Sequence, residues 1–171
     1  LKEDAAVFEQ IKGFKAIPFN KIGRYDDTAL ERVENAFVYC AYSPYAIVKG
    51  NIEKKDRIAA TIIDGELYMH VRVAAEAVGG KVNYDEATET VSFSNGTTTL
   101  EFINGRSDIA KVNNRKLIMK RKIVNIDDTN YISITDLANL FRKRAILYGD
   151  IVVISDTKTL ISVKNESGML R

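Results

Sequence analysis

Two short segments with helical spacing, which recur 63 residues apart, constrain the fold more than any other feature of this chain. In each segment four apolar residues fall at positions i, i+3, i+4 and i+7, which places them along one side of a helix. They are Val71, Ala74, Ala75 and Val78 in the first segment and Ile134, Leu137, Ala138 and Phe141 in the second. Gly79 can end the first helix in a left-handed conformation, and Ser133 or Thr135 can cap the second. The spacing therefore predicts two equivalent short helices.

The same register extends into the strands that precede the helices. The matching residues are Ile63, Asp64 and Tyr68 in the first half and Ile126, Asp127 and Tyr131 in the second. Pairs such as Asp64-Gly65 and Asn104-Gly105 separate segments rich in Val, Ile, Tyr and Thr, a pattern typical of antiparallel hairpins. We interpret the chain as two diverged copies of one unit of strand, turn, helix and hairpin.

This pattern predicts an α+β fold made of two repeated units, each a short helix packed on a small antiparallel sheet with hairpins. The predicted regions are an N-terminal extension or linker, partly helical, at 1–42, a first repeat at 43–105 and a second, diverged repeat at 106–171. A unit of this size is marginally stable alone. We therefore expect the copies to pack together or to continue one sheet.

Composition excludes several classes of protein. The single Cys40 cannot form an internal disulfide or a CxxC metal site, so we expect a small buried side chain there. The sequence lacks an apolar run long enough to cross a bilayer, so no transmembrane segment is predicted. Because the chain starts without Met or a signal-peptide core, we expect it to be part of a longer protein.

No catalytic constellation is recognisable in the sequence, and we expect a protein that is not an enzyme. The only histidine is His70, and no motif joins it to Cys40 as a nucleophilic pair. A lone histidine before a helix is typical of a structural or exposed residue, so no metal and no cofactor are predicted. The carboxylates Asp85, Glu86 and Glu89 are interpreted as a hairpin tip, and their spacing does not match a calcium-binding loop.

The net charge of +2 conceals an asymmetry between the halves of the chain. Residues 1–104 hold 12 basic and 16 acidic side chains, whereas residues 105–171 hold 13 and 7. The candidate ligand-binding residues are therefore basic and lie in the second half: Lys111, Arg115, Lys116, Lys120, Arg121 and Lys122. A solvated surface is the competing interpretation, under which charge reversal at the last three would leave folding intact. No aromatic residues are interleaved with this basic run, which favours a wall polymer or anionic polysaccharide over nucleic acid as partner.

Four tyrosines recur at strand positions and have two possible roles. Tyr68, Tyr84, Tyr131 and Tyr148 would stack on sugar rings if they were exposed, or pack in the core if they were buried. Strand alternation favours core packing or partial burial.

The repeated residues resemble the copper amine oxidase N-terminal-like domain, a family that occurs in tandem in secreted and cell-surface proteins of Gram-positive bacteria. The first copy matches through AIVKGN, IIDGELYMHVRVAAEAVGG and KVNYDEATETVSF, and the second through AKVNNRK, NIDDTNYISITDLANLF and AILYGDIVVISD. His70 replaces the usual proline, Tyr84 or Leu147 the usual tryptophan, and the second copy has Thr135 where the first has Arg72.

The resemblance implies an antiparallel sheet wrapped around a helix, in a non-catalytic module attached to a neighbouring domain. In the amine oxidases copper belongs to a separate catalytic domain and needs three histidines, so copper binding is not implied here. We expect a secreted or cell-surface accessory or scaffolding module that contacts cell-wall or anionic polysaccharide. The alternative is a fragment of a larger secreted polysaccharide-degrading enzyme, such as a heparinase-like lyase or a hydrolase, whose catalytic domain lies outside this chain.

Overall fold

The computed structural model describes residues 36–48 and 51–156. Its strands, in chain order, are β1 Phe37–Cys40, β2 Tyr45–Val48, β3 Asn51–Lys54, β4 Ala60–Ile63, β5 Glu66–His70, β6 Lys81–Asp85, β7 Thr90–Ser94, β8 Thr99–Ile103, β9 Arg106–Val112, β10 Arg115–Ile118, β11 Val124–Ile126, β12 Thr129–Ser133, β13 Lys143–Tyr148 and β14 Ile151–Asp156. Helix α1, Val71–Ala77, follows β5, and helix α2, Ile134–Leu140, follows β12. Within the described residues, no helix is long and apolar enough to span a membrane.

The predicted α+β fold of two repeated units, each a short helix on a small antiparallel sheet, is wrong. The described residues are 56% strand and 12% helix, arranged in three antiparallel sheets with two helices. The sheets have the strand orders β13-β14-β1-β2-β3, β10-β9-β8-β7-β6 and β11-β12-β5-β4. The turn at Asn104-Gly105 joins β8 to β9, so one continuous meander crosses the boundary predicted between 105 and 106. The sheets therefore do not follow the two halves of the sequence.

The first sheet joins the beginning and the end of the described chain. Strand β1 pairs with β14 on one side and with β2 on the other, so Phe37–Cys40 lies in the middle of the sheet. This strand falls within the region 1–42 that was expected to be an extension or linker, and most of that region lies outside the described residues. Cys40 is buried as expected, with its Sγ 3.8 Å from Oδ2 of Asp150.

The smallest sheet joins the two helix-bearing hairpins through β5 and β12. These strands are antiparallel, with Met69 opposite Ile132 and with Tyr68 opposite Ser133. Met69 and Ile132 are also 63 residues apart. The strand pairing therefore places opposite each other two residues at equivalent positions of the 63-residue spacing. Both side chains are 0% exposed. The pairing thus has a local two-fold axis between Met69 and Ile132, and the two hairpins continue one sheet.

Both predicted helices are confirmed, together with their buried stripes. All eight apolar residues of the two stripes are buried. His70 caps α1 by accepting a hydrogen bond from the Arg72 backbone N–H, and Ser133 caps α2 by accepting one from Asp136. Gly79 is left-handed, with φ of +82°. A Cβ on Gly80 would lie 2.5 Å from the Ser94 carbonyl oxygen, so this glycine allows α1 to approach β7.

One core connects the sheets and the helices. The rings of Phe93 on β7 and Phe141 after α2 stack with their centroids 5.1 Å apart, which joins the meander to the second helix. Tyr68 is buried, Tyr131 is half-buried and Tyr84 is exposed. The expectation of packed tyrosines therefore holds for Tyr68 and Tyr131 and is wrong for Tyr84, while the side chain of Tyr148 lies outside the described set.

Candidate functional site

The basic residues predicted as a ligand-binding set do not come together. Lys111 on β9 and Lys116 on β10 are paired across the hairpin, on the sheet face opposite the core. Arg115 alternates to the other face, since successive strand residues point to opposite sides. Lys120 and Lys122 are exposed in the connection between β10 and β11. The set thus spans two faces of the sheet and a separate loop.

Arg121, the remaining member of that set, is tied into the fold. Its guanidinium forms ion pairs with Glu66 and with Asp136, the latter at 3.2 Å. Its backbone N–H also donates to Asp136 at 3.3 Å. The ion pair with Glu66 raises the pKa of Arg121, and Asp136 raises it further. Because Glu66 begins β5 and Asp136 lies in α2, Arg121 joins the first helical hairpin to the second helix.

The outer face of the five-stranded meander forms a shallow cavity of about 570 Å³, which we call the sheet groove. Its floor is a row of polar residues in cross-strand register, Asn83 on β6, Ser92 on β7, Glu101 on β8 and Lys111 on β9. Hydroxyl, amide, carboxylate and ammonium groups thus lie side by side. Such a surface can donate and accept hydrogen bonds along its whole length.

A second cavity, of about 380 Å³, lies where α1 begins and contains Arg57, His70 and Arg72; we call it the arginine cleft. Tyr84 lines the arginine cleft and also the sheet groove. This tyrosine lies on the edge strand β6 and is 51% exposed. An accessible tyrosine is therefore shared by the linings of the sheet groove and the arginine cleft.

Hydrogen bonds fix the cationic wall of the arginine cleft. Nε of Arg57 donates to Oδ1 of Asp56 at 2.6 Å, and Nη2 of Arg57 forms an ion pair with the same carboxylate. Nη1 of Arg57 lies 3.4 Å from Nε2 of His70. The Arg72 backbone N–H donates to Nδ1 of His70 at 3.1 Å. Burial, with the positive charges of Arg57 and Arg72, lowers the pKa of His70 from 6.5 to about 4. The imidazole is therefore neutral at pH 7.

Amides and turn residues form another part of the lining of the arginine cleft. Oδ1 of Asn104 accepts from Nδ2 of Asn125 and from Nδ2 of Asn130, each at 3.0 Å. Nδ2 of Asn125 also donates to Oδ1 of Asn130 at 3.1 Å. Asp128, in the turn between β11 and β12, also lines the cleft. The lining therefore includes one carboxylate as well as the two arginines.

The residues present do not fit a copper ion. Residues 36–48 and 51–156 contain no group of three or more His, Cys, Asp or Glu side chains that could hold a metal. His70 is the only histidine of the whole chain, and its Nδ1 accepts the backbone N–H of Arg72.

Asp85 accepts a hydrogen bond from the Ala87 backbone at 2.9 Å, which supports the interpretation of this acidic segment as a turn.

Sequence reasoning missed Arg57 as a member of a site, and it considered Tyr84 only as one of four tyrosines that would stack on sugar rings if exposed. Arg57 has no basic neighbour within a few positions on its C-terminal side, and it is separated from Tyr84 by 27 residues. Arg72 was part of the family pattern, which gave it no role. The arginines become neighbours because the β4–β5 hairpin returns the chain to the end of β5, where His70 pairs its backbone N–H with the Ala59 carbonyl.

Comparison with protein families gives one match. The sequence profile of the copper amine oxidase N-terminal domain matches residues 48–164, which include both helices and the whole meander. No curated protein and no solved structure gives a significant match. The family match covers more than half of the chain. The chain therefore belongs to the copper amine oxidase N-terminal domain family.

Proposed function

We propose that this chain is a non-catalytic accessory module of a secreted or cell-surface protein, and that it contacts polysaccharide through the surface around Tyr84. The observation that carries the proposal is the position of this ring, 51% exposed between the sheet groove and the arginine cleft. An exposed tyrosine offers an apolar face for the C–H face of a sugar and a hydroxyl for hydrogen bonding. The polar groups of the sheet groove can meet sugar hydroxyls alongside it.

The sheet groove supports a polymer rather than a small molecule as the ligand. It is open along the outer face of four strands, and its row from Asn83 to Lys111 follows the direction across the sheet. A small-molecule site usually surrounds most of its ligand, which an open sheet face does not do. A chain of sugar units can instead contact several of these polar groups in succession.

A binding panel on the intact chain tests this function. We expect neutral or acidic oligosaccharides to bind, and Tyr84→Asn to weaken binding by about two- to tenfold, since an aromatic contact contributes about 0.5–1.5 kcal/mol. Tyr42 is a matched control because it is 53% exposed and does not line either cavity. Tyr42→Asn should leave affinity unchanged, and asparagine tolerates the positive φ of that position. Equal losses in the two variants, or no binding to any oligosaccharide, would refute the proposal.

A second candidate function is that the module belongs to a larger secreted polysaccharide-degrading enzyme, either a heparinase-like lyase or a hydrolase. The family description favours it, because an N-terminal domain is by its name joined to a following region. The full-length gene distinguishes the two candidates. An adjoining lyase or hydrolase domain would support the enzyme, and a gene with no such domain would exclude it.

We also propose that the two helical hairpins are tandem copies produced by internal duplication. The local two-fold axis between Met69 and Ile132 supports this, because the 63-residue repeat relates each residue of the β5–β12 pair to its symmetry mate. An experimental structure in which β4, β5 and α1 do not superpose on β11, β12 and α2 would contradict the duplication.

A further inference from the structure

The arginine cleft contains two hydrogen-bond donors that face each other. Because Nδ1 of His70 accepts the N–H of Arg72, the proton of the neutral imidazole is on Nε2. Nε2 lies 3.4 Å from Nη1 of Arg57, and that nitrogen is also a donor only. The two groups cannot satisfy each other. An acceptor beside this pair, within reach of both nitrogens, would take a hydrogen bond from each.

Arg57 is held in an orientation that suits such an acceptor. Asp56 occupies the edge of the guanidinium formed by Nε and Nη2, so Nη1 is the end left toward the cleft. Arg72 is exposed and has no ion-pair partner within residues 36–48 and 51–156. The cleft therefore presents the Nη1 end of Arg57, whose other edge is paired with Asp56, together with the exposed cation of Arg72 and a neutral imidazole N–H.

We propose that the arginine cleft binds the carboxylate of an acidic sugar unit, with Arg57, Arg72 and Nε2 of His70 as the donors and Tyr84 against the sugar ring. This inference rests on the proposed polysaccharide-binding function and specifies the class of polymer, one that contains uronic acid. A carboxylate is planar and accepts two hydrogen bonds from neighbouring donors, which matches the donor pair of Arg57 and His70.

Two further features favour a carboxylate on a sugar over a free multivalent anion. Asp128 also lines the cleft, and its negative charge penalises a doubly charged phosphate more than a singly charged carboxylate. Tyr84 adds an exposed apolar face at the mouth of the same cleft, which a free inorganic ion would not use. Helix α1 is not needed as an anion site, because its Arg72 N–H already donates to His70.

The matched probes are an oligogalacturonate and its methyl ester, which differ in charge and share the sugar backbone. We expect the intact chain to bind the acid form about tenfold or more tightly than the ester by calorimetry, as for a charge-assisted pair. His70 is the only histidine, so its imidazole resonances report occupancy of the cleft directly. The acid form should shift them, and the ester should not.

Three variants separate the cleft from general electrostatic attraction. Arg57→Gln and Arg72→Gln should each reduce the preference for the acid form, and Arg115→Gln, which removes the same charge from exposed β10, should not. Circular dichroism confirms that each variant is folded. Equal binding of acid and ester would refute carboxylate binding in the arginine cleft, but it would not refute polysaccharide binding at Tyr84. If Arg115→Gln reduced the preference for the acid form as much as the two cleft variants do, carboxylate binding in the cleft would also be refuted. The preference would then follow the net charge of the chain. If neither probe bound, carboxylate binding in the cleft would be refuted. The oligosaccharide panel with Tyr84→Asn decides separately whether the proposed function also fails.

Discussion

The starts of the two helices lie 63 residues apart, and they differ in how their arginines are paired with carboxylates. At α2, Arg121 is ion-paired with two carboxylates, Glu66 and Asp136. At α1, Arg57 is ion-paired with its chain neighbour Asp56, and Arg72 is exposed at the arginine cleft. We call the start of α2 the closed end, because two carboxylates pair with its arginine, and the start of α1 the open end, because Arg72 there is exposed.

Residues at positions 63 apart in the sequence differ between the two ends. The residue that corresponds to Asp136 in the first half is Val73, which is buried and apolar, and the residue that corresponds to Glu66 in the second half is Thr129. Thr129 itself lines the arginine cleft. Two carboxylates that close one end are thus uncharged residues at the other. One end therefore holds a structural ion pair, and the other is a candidate anion site.

The largest expected effect concerns Met69 and Ile132, which lie at the centre of the pairing between β5 and β12. Met69→Ala and Ile132→Ala should each lower the free energy of unfolding by about 2–5 kcal/mol, because each leaves a cavity between the hairpins. Their effects should be similar, since the two side chains are fully buried and oppose each other across the local two-fold axis. Chemical denaturation measures both variants and the double variant. Strictly additive losses would show that the two residues do not share one packing site.

The next effect tests the closed end. Asp136→Ala should lower the free energy of unfolding by about 1.5–3 kcal/mol, because Asp136 is only 8% exposed and accepts hydrogen bonds from both the backbone and the side chain of Arg121. Glu76→Ala is the control, since Glu76 is an exposed acid on α1 that pairs with Lys55. Its removal should cost about 0–1 kcal/mol. Equal losses in the two variants would mean that the closed end is held by packing alone.

The third effect tests the open end through pH. The folded-state pKa of His70, about 4, lies below the usual value of 6.5, so between these values the unfolded chain binds a proton that the folded chain does not. Stability should therefore be full above pH 6.5 and should fall as the pH drops toward 4. His70→Ser keeps a capping side chain and removes this titration, so its loss of stability over the window should be smaller. Denaturation at neutral and acidic pH measures both proteins. Identical pH profiles would remove His70 as the cause.

Sequence patterns were sufficient for the local elements and insufficient for their assembly. The stripe that includes Leu137 depends on contacts within one turn of a helix, and the hairpin at Asn104-Gly105 depends on adjacent residues, so both could be predicted. Pairing of β1 with β14 joins residues more than a hundred positions apart, and no local pattern encodes it. The fold class was missed because hairpin turns continued the meander across the repeat boundary.

The candidate site was harder to predict for a related reason. Counting charges selected the densest basic segment of the sequence. In the structure, Arg121 of that segment is ion-paired with Glu66 and Asp136, and Lys111 lies on the opposite sheet face from Arg115. The arginine cleft instead combines residues from β5, α1, β6 and several turns, so its charge density along the sequence is low. The difference between Arg121 and Arg57 depends on which carboxylates the fold brings near them.

The smallest expected effect separates the closed end from the basic segment around it. Lys120→Glu and Lys122→Glu should change the free energy of unfolding by no more than about 0.5 kcal/mol, because both side chains are exposed. Arg121→Glu should destabilise the protein, since it places a third carboxylate beside Glu66 and Asp136. Thermal unfolding of the three single variants measures this contrast. If all three variants unfolded like the unmodified chain, Arg121 would be as solvated as its neighbours, and the distinction between a closed and an open end would fail.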